Sequence, residues 1–148
     1  MSKKLFNTML NINFIITIII IATMAFALFP VQTGIYRAIF FAKDFSFSFV
    51  DIIEIIFYYL SIIVLLVSLI LLMLEKKNVL ANNKYEKPLF NGGLLMVISG
   101  FIFFVANTVC AILIHLISFE IIYGLLGLFL LGNGLAIIFF YEQNKKPI

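Results

Sequence analysis

Four long apolar stretches alternate with polar segments along the chain. They cover residues 10–29, 52–74, 94–117 and 119–141. Each is about as long as the 20 or so residues that an α-helix needs to cross the hydrocarbon core of a bilayer. The three prolines fall outside all four stretches, so each stretch can form an unbroken helix that satisfies its own backbone hydrogen bonds. The pattern predicts one all-α transmembrane domain over residues 1–148, an antiparallel four-helix bundle with short loops.

The connections between these spans differ in character. Residues 30–51 mix aromatic residues with charged residues and serines, which is typical of an interfacial helix or strand, or of a loop anchored by phenylalanines. Residues 75–93 are polar and rich in lysine, so we expect them to lie on anionic lipid headgroups. Only a few residues separate the third span from the fourth. These two spans should therefore form an antiparallel helical hairpin.

Composition supports a membrane protein and excludes several other classes. Hydrophobic residues make up 64% of the chain and charged residues 11%, well away from the averages of soluble domains. A soluble enzyme and a disordered chain are therefore excluded, and the single cysteine, Cys110, excludes a disulfide scaffold. The net charge is +3, but no basic patch with interleaved aromatic residues lies outside the spans. We therefore expect contact with the lipid bilayer and no binding of nucleic acid.

The distribution of lysine and arginine predicts the orientation. Eight basic residues flank the spans on one side, and only Arg37 and Lys43 lie on the other; the eight are Lys3, Lys4, Lys76, Lys77, Lys84, Lys87, Lys145 and Lys146. The positive-inside rule then places both termini in the cytoplasm of a multi-pass protein of the cell membrane. The lysine-rich composition fits a bacterial inner membrane, with an organellar membrane as the alternative.

The amino-terminal segment also has the three parts of a secretory signal peptide. A basic start and an apolar run precede the sequence Ala25-Phe26-Ala27, where cleavage would leave three spans. The apolar run continues to Phe29 and is long enough to cross the bilayer. We therefore expect an uncleaved first span.

Small and polar residues in the last two spans predict how these spans pack. Such residues usually mark the contacts between membrane helices. Glycines share one helical face in each of these spans. They are Gly93 and Gly100 in the third span, and Gly124, Gly127 and Gly134 in the fourth. Asn107 and Asn133 lie near the middle of their spans, at depths that would allow an amide pair or a water-bridged contact. We interpret these two residues as interhelical contacts rather than as a transport site.

The second span has the most suggestive polar pattern. Asp51, Glu54, Tyr58, Ser61 and Ser68 share one helical face, at intervals of three, four, three and seven residues. The two carboxylates fit a helix amino terminus, where the helix dipole favours negative charge. The same residues also fit a water-accessible vestibule, in which Glu54 and Tyr58 would handle a proton or bind a cation.

The turn between the third and fourth spans carries two further candidates. His115 and Glu120 lie at the expected level of the two carboxylates of the second span, so the four could form an acidic pocket with one imidazole. They could equally be four separate residues at a wet interface. Their spacing defines no coordination geometry, and we predict no metal site.

The motifs of enzymes are missing from the chain. It contains no phosphate-binding glycine loop, no HExxH helix and no serine motif with a suitably placed histidine, so we expect neither catalysis nor a cofactor. The sequence favours an accessory, regulatory, assembly or immunity-type subunit that binds another membrane protein. The alternative is a small homo-oligomeric transporter or channel that uses Glu54 and the polar face of the second span.

Overall fold

A computed structural model describes the backbone of residues 3–41, 49–82, 85–114 and 117–145. Side chains are described for residues 3–22, 56–82, 85–109 and 122–145. Within these ranges the chain forms four α-helices and no strand; the helices are α1 (Lys3–Phe41), α2 (Phe49–Asn82), α3 (Lys87–Ile114) and α4 (Ile117–Asn144). The predicted all-α four-helix bundle is confirmed.

The helices extend beyond the apolar stretches from which they were predicted. Helix α1 has 39 residues and continues through Pro30, where we expected a loop, as far as Phe41. Helices α2 and α3 together include most of residues 75–93, so only residues 83–86 separate them. Hydropathy marks only the part of a helix that lies in lipid, whereas Glu, Lys and Leu favour helix in water as well. Pro88 falls in the first turn of α3, where a backbone N–H has no helical partner in any case.

Each helix contains a segment that is long and apolar enough to cross a membrane. Among the residues with described side chains, these segments are Lys3–Ala22, Ile56–Asn82, Lys87–Val109 and Ile122–Asn144. Between 28% and 44% of each segment's most apolar window is buried inside the bundle, so most of the apolar surface faces outwards. Lipid has to cover this surface, and the chain is therefore a multi-pass membrane protein.

The helices pack in cyclic order, but the four seams are unequal. The backbones of α3 and α4 approach each other most extensively, followed by those of α2 and α3. Helix α1 packs less closely on α2 and makes the fewest close approaches to α4. Among the described residues, α3 therefore approaches both of its neighbours closely, and α1 approaches its neighbours least.

Buried residues recur every three or four positions, the spacing of interlocking helices in bundles. In α1 they are Phe6, Leu10, Asn13, Thr17 and Ile20. In α2 they include Tyr58, Ser61, Leu65, Ser68, Leu72, Glu75 and Val79. Polar residues thus occupy core positions in both helices, and each must find a partner inside the bundle.

Candidate functional site: polar side chains inside the bundle

The predicted acidic pocket lies outside the described side chains. Asp51 and Glu54 are in α2 and Glu120 is in α4, but their side chains are not among those described. His115 lies outside the described residues altogether. The pocket therefore stays a prediction.

Glycines form the seam between α3 and α4. A Cβ atom added to Gly100 would lie 2.6 Å from the backbone N of Leu131 and 2.7 Å from the carbonyl O of Gly127. A Cβ on Gly134 would lie 2.7 Å from the carbonyl O of Gly93. Gly124 is more loosely placed, since the nearest atom to its added Cβ is a ring carbon of Phe104 at 4.0 Å. Backbone therefore meets backbone at Gly100, Gly127 and Gly134, because these glycines have no side chain to separate the two helices.

Asn107 and Tyr58 form a buried pair between α3 and α2. The Tyr58 hydroxyl donates to Asn107 Oδ1 at 2.8 Å, and Asn107 Nδ2 donates to the carbonyl O of Phe103 at 2.6 Å. Tyr58 is 5% exposed and Asn107 is fully buried. The Phe103 ring packs edge-on against Tyr58, with the centroids 5.8 Å apart. The hydroxyl that the vestibule hypothesis needs is therefore engaged inside the bundle.

Two serines join α2 to α3 by hydrogen bonds, on the same face of α2 as Tyr58. Ser61 Oγ donates to the carbonyl O of Ser99 at 3.0 Å, and Ser99 Oγ donates to the carbonyl O of Ser61 at 2.9 Å. Seven residues further along α2, Ser68 Oγ donates to the carbonyl O of Gly92 at 2.7 Å. These hydroxyls satisfy one another and the neighbouring backbone, as interhelical contacts in membranes commonly do.

Asn133 pairs with a residue of α1. Its Nδ2 donates to Asn13 Oδ1 in α1 at 2.6 Å, and Asn13 Nδ2 points to the sulfur of Met96 in α3 at 3.4 Å. The direct amide pair between Asn107 and Asn133, which the depths of the two residues would allow, is not formed; each amide bonds a residue of another helix instead. Asn107 bonds Tyr58 of α2 and Asn133 bonds Asn13 of α1, so the two amides face different helices. Thr17 supports the pair by donating to the carbonyl O of Asn13 at 2.7 Å.

The helix ends that carry lysines meet at one end of the bundle, which we call the lysine-rich end (Lys3, Lys4, Lys76, Lys77, Lys87 and Lys145). Lys3 Nζ donates to the carbonyl O of Leu80 at 2.9 Å, and Lys76 Nζ to Asn11 Oδ1 at 3.4 Å. These bonds tie the start of α1 to the end of α2.

Glu75 is a buried carboxylate at this same end. It is 5% exposed and accepts a hydrogen bond from Asn78 Nδ2 at 3.3 Å. The amide oxygen of Asn7 in α1 is also buried, and no hydrogen-bond partner for it is described. In contrast, the exposed carboxylate of Glu142 pairs with Lys145 beyond the end of α4, and this hydrogen bond raises the pKa of Lys145.

Sequence reasoning did not single out Asn13, Thr17, Ser99 or Glu75 as members of this interior. Two signals could have found them. A polar residue within a membrane span needs a partner, so each one marks an internal face. Glu54, Ser61, Ser68 and Glu75 also recur at intervals of seven residues, which extends the polar face of α2 along the whole seam.

The described interior therefore serves mainly to join helices. Among the residues with described side chains, no three His, Cys, Asp or Glu residues cluster in a way that could hold a metal ion. Comparisons with protein-family models, curated proteins and solved structures found no match to this chain. Its function has to be inferred from its own residues.

Proposed function

We propose that this chain is a non-catalytic accessory subunit that binds another membrane protein and regulates, assembles or protects it. One observation carries the proposal: most polar side chains of the described interior are used in bonds between helices, although Thr17 and Glu75 bond within their own helices. Tyr58 bonds Asn107, Ser61 and Ser99 bond each other's backbone, and Asn133 bonds Asn13. A transport site needs polar groups that can exchange their partners for a solute, whereas these groups hold the bundle together.

The short connection between α2 and α3 supports the same proposal. Only residues 83–86 separate these helices, so no folded domain lies between them. A partner would therefore meet the chain mostly through its lipid-facing helix surfaces. Tight packing of α2, α3 and α4 would make the chain a stable element against which another membrane protein can assemble.

The proposal includes a bacterial cytoplasmic membrane and cytoplasmic termini. The antiparallel helices bring the lysines of four different helix ends to the lysine-rich end. A basic cluster of this kind is retained on the cytoplasmic side, where it meets anionic headgroups.

An alternative function is a small homo-oligomeric transporter or channel. Glu75 favours it, because this buried carboxylate extends the face of Glu54, Ser61 and Ser68 to the lysine-rich end. The two ends of α2 would then each present a carboxylate near the membrane surface. Ionisable residues at such positions are typical of ion and proton pathways.

Two measurements distinguish these functions: recovery of a partner protein with the chain, and flux of protons or cations through the purified chain. The tagged chain is crosslinked in its host membrane, extracted in mild detergent and analysed for proteins recovered in stoichiometric amount. We expect one membrane protein whose amount or activity falls when the chain is deleted and returns with the wild-type gene.

Purified chain in vesicles should show no proton or cation flux above that of empty vesicles. The accessory function is contradicted if the chain is recovered only with itself and conducts a flux that Glu54→Gln or Glu75→Gln abolishes.

A further inference from the structure

We draw no further inference here: the strongest candidate, the buried carboxylate of Glu75 in α2 at the lysine-rich end, already accepts a hydrogen bond from Asn78, and no contact among the described residues joins it to the buried amide oxygen of Asn7 in α1 or shows what ligand the two would take.

Discussion

Two glycines of α4 and α3 show how much the surroundings of a residue determine its role. A Cβ on Gly100 would collide with backbone atoms of α4, which cannot move without separating the helices. A Cβ on Gly132 would meet nothing within 4 Å. Both are glycines within apolar helices, so their intrinsic effect on helix stability is the same and only the neighbouring helix distinguishes them.

Alanine at these two positions should therefore have opposite effects on stability. We expect Gly100→Ala to destabilise the bundle by about 1–3 kcal/mol, because extra volume in a close-packed seam forces backbone shifts. Gly132→Ala should be neutral or stabilise the bundle by up to about 1 kcal/mol, since alanine favours helix more than glycine does. Thermal or denaturant unfolding of the purified chain in detergent measures both. Equal losses of stability for the two variants would contradict the backbone contact at Gly100.

Residue spacing in the sequence predicted which glycines share a face, but it could not predict partners for the asparagines. The intervals between Gly127 and Gly134, and between Gly93 and Gly100, follow directly from helical periodicity. Whether Asn133 meets Asn107 or Asn13 depends on which flank of α4 lies against which helix. That arrangement depends on the packing of the whole bundle, and no pattern in the sequence around Asn133 indicates it.

Helices α2 and α3 are joined by small and polar residues on their facing sides. Serines alternate with leucines on the buried face of α2, and the serines meet Ser99 and Gly92 of α3. Small side chains let the helices approach, and each hydroxyl then reaches a backbone carbonyl of the other helix. The seam thus combines close packing with hydrogen bonds that lipid cannot supply.

A double-mutant cycle on Ser61 and Ser99 measures how far the two hydroxyls, whose oxygens lie 3.1 Å apart, depend on each other. Ser61→Ala and Ser99→Ala each remove one donor, and we expect each to destabilise the bundle modestly. The coupling between them should be about 0.6 kcal/mol and not above about 2 kcal/mol, the range of interhelical hydrogen bonds in membranes. Unfolding of the single and double variants in the same detergent provides the four free energies. Strictly additive effects would show that the two hydroxyls do not depend on each other.

The whole molecule is asymmetric in its packing and in its charge. Among the described residues, the backbones of α3 and α4 and of α2 and α3 approach each other more often than α1 approaches α2 or α4. The lysines gather at one end of the bundle. The basic end defines the side of the membrane on which we expect the termini.

Cysteine labelling tests this orientation. In a Cys110→Ala background, a cysteine at position 46 should react with a membrane-impermeant maleimide in intact cells, and one at position 82 should not. Both should react after the membrane is permeabilised, which controls for accessibility of each thiol. Labelling only at position 82 in intact cells would mean that the positive-inside rule gives the wrong orientation here.

The sequence alone determined that this chain is a helical membrane protein with four spans, because the length and apolarity of a span are local properties. It also indicated the face on which the glycines lie, since that depends only on helical spacing. The tertiary structure decided that Tyr58 and Asn107 are paired, that Asn133 turns to α1, and that Glu75 is buried. These outcomes depend on the distance between each pair of helices. That distance depends on how all four helices pack together, so no single segment of the sequence determines it.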